Sequence, residues 1–131
     1  MKNTYLGFPL LVVLTACAAG PSANSPVASN RVVTDVLSDG ATILGRYDPA
    51  SFTTANARKM ASFSCERAIL ASFGESDVDG QRVFQATCRD GTVHGAGSGV
   101  NFERTGPNSV TYSSVFSLNG KITFAEGDFP L

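Results

Sequence analysis

After Arg31, polar and apolar residues alternate along much of the chain, and the alternating runs are separated by tight-turn signals. Asp-Gly and Asn-Gly pairs readily adopt the positive φ angles of two-residue hairpin turns. Asp39-Gly40 divides Val32–Leu37 from Ala41–Tyr47, and Asp79-Gly80 precedes Val83–Cys88. Asp90-Gly91 leads into Thr92–Phe102, and Asn119-Gly120 divides Val110–Leu118 from Lys121–Ala125. In the last pair Val110, Tyr112, Phe116 and Leu118 alternate with polar residues, and Ile122 and Phe124 repeat the pattern beyond the turn, as strands with one buried face require. Antiparallel sheet is therefore expected through most of the chain.

Ser51–Phe73 departs from this pattern. Thr53 or Thr54 can cap a helix, and Ala55, Ala57, Arg58, Lys59, Met60 and Ala61 favour one. Its end is ambiguous. Ala61, Cys65, Ala68, Ile69, Ser72 and Phe73 fall on one helical stripe, yet Ala68–Phe73 would serve equally as a strand beside Val83–Cys88.

Composition narrows the class. With 43% hydrophobic residues, 16% charged residues and 13 glycines in 131, the chain can form one modest core. No apolar run reaches the length of a membrane span. Lys2 is the only charge before Arg31, so the remainder carries 9 Lys and Arg against 11 Asp and Glu, with the signs interspersed. Nucleic acid is not an expected partner, since it selects a basic stripe.

The first residues read as an export signal. Lys2 supplies a positive start, and Tyr5–Leu14 supplies about ten apolar residues, the length of a secretory hydrophobic region. As a helix this stretch rises about 15 Å, half of a hydrocarbon core. Leu14-Thr15-Ala16-Cys17 follows directly, and it resembles the lipobox of bacterial lipoproteins: a branched apolar residue, two small residues and a cysteine. The resemblance covers about seventeen residues. It implies removal of residues 1–16 and a thioether from Cys17 to diacylglycerol, with two or three acyl chains holding the protein at about 0.8 kcal/mol per buried methylene. Ala18 and Ala19 stand where an Asp would favour the inner membrane, so the implied location is the outer membrane, facing the periplasm. Residues 17–30 then comprise the lipidated cysteine and a tether. Ala18–Asn30 is uncharged, contains Pro21 and Pro26, and has a composition that cannot bury a core. Its expected reach is about 20 Å as a flexible chain and about 45 Å extended.

If Cys17 carries lipid, Cys65 and Cys88 remain in an oxidising compartment and are expected to pair. Closing a loop of about 24 residues would contribute roughly 3 kcal/mol. Such a bond would pin a helix end to the sheet, which favours a helix over Thr53–Ser64 followed by a strand. The expected fold is α+β, with one helix packed on a curved antiparallel sheet of about six or seven strands, all within a single domain at 31–131.

Several local patterns invite chemistry. Glu75, Asp77 and Asp79 before Gly80 resemble the start of a calcium loop, but Ala86 stands where a bidentate Glu would close it, and a solvated hairpin turn explains the same residues. His94, the only histidine, precedes alternate glycines at Gly95, Gly97 and Gly99. Asp90, His94 and Ser98 cannot form a relay along one strand, because four residues cover about 13 Å. Ala96 and Val100 break a nucleophile elbow. Alternate glycines permit a bend or a close backbone approach, and they could also leave a shallow binding groove with His94 at its edge. Arg89-Asp90-Gly91 is explained by turn chemistry. Phe63, Phe73, Phe84, Phe102, Phe116 and Phe124 are spread over every element, as core residues would be.

Three functions are compatible with these residues. The leading expectation is a non-catalytic lipoprotein of the cell envelope that binds a protein or envelope component, without a cofactor. A second is an inhibitor of a cell-wall hydrolase such as lysozyme, by likeness of architecture alone. A third is a carboxylate-dependent envelope enzyme using Glu103, Asp90 or Glu126.

Overall fold

Three of the four Asx-Gly pairs close hairpins in the computed structural model, which describes residues 22–131. Gly40, Asp79-Gly80 and Asn119-Gly120 all take positive φ, from 51° to 78°. They join β1 (Arg31–Val36) to β2 (Thr42–Tyr47), β3 (Leu70–Val78) to β4 (Gln81–Cys88), and β6 (Ser109–Leu118) to β7 (Lys121–Pro130). With β5 (Gly99–Arg104) the strands form one antiparallel sheet in the order β3-β4-β2-β1-β5-β6-β7. One helix, α1 (Thr54–Ser62), lies on it. The architecture is the expected α+β arrangement with its disulfide.

Asp90-Gly91 is the exception. β4 pairs with β3 and β2, whereas β5 pairs with β1 and β6, so residues 89–98 cross the ends of β2 and β1 instead of turning back. The strand expected over Thr92–Phe102 is therefore confined to its second half. The bonded amides of the crossover reach scattered partners: Thr92 N donates to Gly40 O at 3.3 Å, Val93 N to Ser64 O at 2.9 Å and Gly97 N to Val36 O at 3.0 Å. No single neighbouring strand is present to make a ladder.

The helix end is resolved as the sequence suggested. Thr53 Oγ1 accepts from Asn56 N at 3.1 Å, and Asn56 Oδ1 accepts from Thr53 N at 3.0 Å, so both side chains satisfy amides that the first turn leaves free. α1 buries Ala57, Met60 and Ala61, and the two alanines let it approach the sheet closely. Cys65, just beyond the helix, bonds to Cys88, the last residue of β4. Between this bond and β3 the chain reverses through Arg67 and Ala68, both left-handed, at φ 55° and 57°.

The face under the helix is the core. Val32, Ile43, Tyr47, Phe84 and Phe102 are fully buried there. Phe63 meets Phe102, Tyr112 and Phe129 with ring centroids 5.8, 4.8 and 5.7 Å away. Gly45 pairs with Phe84, and a Cβ on it would lie 1.9 Å from the ring, so the glycine makes room for that ring. Tyr47 is buried but not unsatisfied: its hydroxyl donates to Glu75 at 2.7 Å, and Thr54 donates to the same carboxylate at 2.5 Å. Burial, and then the Glu75 carboxylate, raise the phenol above its ordinary value.

On the opposite face, residues 22–30 depart from the expected tether. Ala23 N and the Ser22 hydroxyl donate to Asp35, while Gln81 exchanges two hydrogen bonds with the backbone of Val27. The segment thus runs across the backs of β1, β2 and β4, where Ala23 and Val33 are buried. Composition spoke against a core built from these residues alone, but a single alanine and two side-chain anchors suffice to hold them on an existing sheet.

Two substitutions test this packing. Replacing Cys65 and Cys88 together by Ala should lower unfolding free energy by roughly 3 kcal/mol, and Gly45→Ala should cost about 1–3 kcal/mol through overpacking. Urea unfolding followed by circular dichroism measures both, and an unchanged midpoint in either variant would contradict the packing described.

Candidate functional site

The segment over β1, β2 and β4 leaves the backs of β5, β6 and β7 open. Two adjoining depressions lie there, of 520 and 370 Å³, sharing Asn101, Ser113 and Glu126. Together they make one shallow trough with unlike ends. Glu103, Glu126 and Asp128 line one end, and Val115, Phe124 and Gly99 the other.

Register explains the polarity. Thr111 pairs with both Glu103 and Asp128, and Ser113 with both Asn101 and Glu126, so these side chains project to the same face in two successive rows. Further along, Val115 pairs with Gly99 and Phe124, and Ser117 with Ile122. Glu103 is held by Arg31 at 3.4 Å, an ion pair more than a third exposed at both partners. At the junction of the two ends, Asn101 Oδ1 is buried without a hydrogen-bond partner.

Phe124 overturns one sequence expectation. The sequence pattern places it with the core aromatics, but it is 74% exposed and Ile122 is 61% exposed. A two-residue turn pairs Leu118 with Lys121, which sets Val110, Tyr112 and Phe116 opposite Phe129, Gly127 and Thr123. Ile122 and Phe124 consequently face away from the helix. Phe84 and Phe102 are buried as expected, and Phe63 and Phe73 pack at the edge of the core.

The glycine run is divided rather than forming one groove. Gly97 and Gly99 line the trough, whereas Gly95 lies against the carbonyl of Ser117, which a Cβ would approach to 2.5 Å. His94 stacks on Phe116, on the other side of β6, with centroids 3.3 Å apart. Burial lowers its pKa. The expected site of His94, Gly95, Gly97 and Gly99 is thus half structural and half trough.

The acidic candidate loop is a hairpin. Glu75 and Asp77 stand in β3, where Glu75 is engaged by Tyr47, Thr54 and Arg82, and Asp77 accepts from Arg82 Nε at 3.1 Å. Asp79 occupies the turn. Among the described residues no group of three or more His, Cys, Asp or Glu side chains is arranged to hold a metal ion. Of the carboxylates considered for catalysis, the structure brings Glu103 and Glu126 into one trough and leaves Asp90 in the crossover. Cys17 lies outside the described residues. No helix among the described residues is long and apolar enough to cross a membrane.

Fold and site together define a small, disulfide-bonded α+β domain with one sheet face partly open. No family model, curated protein or solved structure matches the chain.

His94 gives this region a pH signature. Burial disfavours the imidazolium, so the unfolded chain binds that proton more tightly than the folded one. Stability is fully present above the ordinary value of 6.5 and declines as pH falls through the lowered folded value. The urea midpoint should therefore drop between about pH 7.5 and about 5.5, and His94→Gln should flatten that slope. An equal slope in the two proteins would remove His94 as its source.

Proposed function

We propose that the protein is a lipid-anchored binding module of the bacterial cell envelope, without catalytic activity of its own. Cys17 carries the anchor and faces the domain toward the periplasm from the outer membrane. The trough on β5, β6 and β7 receives a protein or envelope component. The observation that carries this reading is the open sheet face itself, lined by the carboxylates of Asp35, Glu103, Glu126 and Asp128 and, at one end, by exposed Val115 and Phe124. Its acidic end suits a partner that brings basic and hydrogen-bond-donating groups.

Glu103 and Glu126 line the same open trough, which is the one observation that favours an enzyme. Binding explains it more simply. Glu103 is already paired with Arg31, and Cα atoms two strand spacings apart across β6 stand about 10 Å from one another before their offset along the strands is added. A shallow, solvent-open surface also lacks the enclosure that strengthens charge stabilisation in catalysis.

A photo-crosslinking residue at Ser113 should trap a discrete partner in intact cells, and the same residue at Arg67, on the far side of the molecule beyond the helix, should not. Charge reversal at Glu126 and Asp128 should abolish the Ser113 adduct. Identical adduct patterns at the two positions would refute the trough as the binding face. For the anchor, a fatty-acid probe should label the wild type and not Cys17→Ser; labelling that persists in the variant would refute the lipidation.

A further inference from the structure

The apolar end of the trough lies beside the point where the chain enters the domain. Asp35, which accepts from Ser22 and Ala23, is in register with Gly99, Gly99 with Val115, and Val115 with Phe124. Three strand spacings, about 14 Å, therefore separate the entry point from Phe124. Gly99 places no side chain between them. Beyond this row the β6–β7 hairpin continues past the first residue of β5. Its core-side surface is occupied, because His94 stacks on Phe116 and Gly95 abuts the Ser117 carbonyl. Its other surface presents Ile122 and Phe124, with Lys121 next to the turn.

We propose that this hairpin tip is a second membrane contact, in which Val115, Ile122 and Phe124 rest in the interfacial layer of the phospholipid bilayer that holds the Cys17 anchor. The proposal rests on the lipidated reading of Cys17. Its occupant follows from the length of chain before Ser22. Four residues, Ala18 to Pro21, lie between Cys17 and Ser22, and these five Cα steps span at most about 18 Å when fully extended. A leash that short keeps the Asp35 end of the sheet at the bilayer, and the exposed apolar side chains stand at that same end. Charge at this end is mixed, Lys121 and Arg89 standing with Asp35, Asp39 and Asp90, so the contact rests on the apolar side chains and the leash; Glu103, Glu126 and Asp128 lie toward the opposite end of the strands. Because the anchor supplies a high effective concentration of lipid, a weak apolar contact is enough to fix how the domain sits. The acidic end of the trough is then held away from the membrane and open to a partner.

The chain contains no tryptophan, so Phe124→Trp creates a single fluorescent reporter at the tip. Val78→Trp, at the β3–β4 turn on the opposite end of the sheet, is the control. The full lipidated chain is reconstituted into vesicles of phosphatidylethanolamine and phosphatidylglycerol, and flotation reads the anchor separately from the fluorescence. The expected result is co-flotation, blue-shifted emission and quenching by acyl-chain-brominated lipid for F124W, with water-like, unquenched emission for V78W. Co-flotation with water-like, unquenched F124W would overturn the hairpin contact and leave the anchor standing. A blue shift that needs no vesicles and rises with protein concentration would overturn it in favour of a second copy of the chain. If the protein does not float, the anchor reading fails; titrating the same F124W protein with excess vesicles then decides the hairpin, quenching supporting lipid contact and its absence overturning it. In that titration Ile122→Ser added to the F124W protein should weaken vesicle binding roughly tenfold.

Discussion

A seven-stranded sheet has two faces, and the described residues supply one nine-residue α-helix with which to cover them. That mismatch governs the rest of the molecule. The helix covers one face, and the Cys65–Cys88 bond holds its end to β4, so the core forms there around Phe84, Phe102 and Tyr47. Ser22–Asn30 covers part of the other face through Asp35 and Gln81. The described residues leave it open at both edges, over β3 and, more widely, over β5, β6 and β7. The trough is thus a consequence of how little covering material the described residues supply, and its chemistry is whatever the outward positions of three strands carry.

Much of this was legible in the residues, because local rules decide hairpins. Asp39-Gly40, Asp79-Gly80 and Asn119-Gly120 behave as isolated turns behave, and the Thr53 cap acts within its own helix. The exception at Asp90-Gly91 arises from partner choice: an Asx-Gly pair permits a tight turn but does not say whether the next strand is a neighbour. Here β5 is claimed by β1 and β6, and the chain must cross the sheet end instead. The docking of Ser22–Asn30 was illegible for a related reason. Its anchors, Asp35 and Gln81, belong to strands 12 to 54 residues away and reveal nothing about it in sequence.

Phe124 is a different case, since its orientation could have been read. A two-residue turn fixes register, so an even-numbered core residue in β6 must face an odd-numbered residue in β7. Following alternation across the turn without that arithmetic placed Ile122 and Phe124 in the core. Correct register turns the same two residues into the exposed end of the trough. The acidic end depends on three strands brought side by side, two of them paired across an Asn119-Gly120 turn and the third across residues 105–108, and spacing along the chain carries no comparable signal.

On the proposed reading, the bare sheet face is covered where the protein is anchored. Hydroxyl-radical footprinting by mass spectrometry, comparing the protein on native membranes with the purified chain in detergent-free solution, tests this most directly. The expected result is strong protection of Val115, Ile122 and Phe124 on membranes, with Val78 and Phe73 labelled equally in both states. Equal labelling of Ile122 and Phe124 in the two states would contradict the open trough as the working face of the molecule.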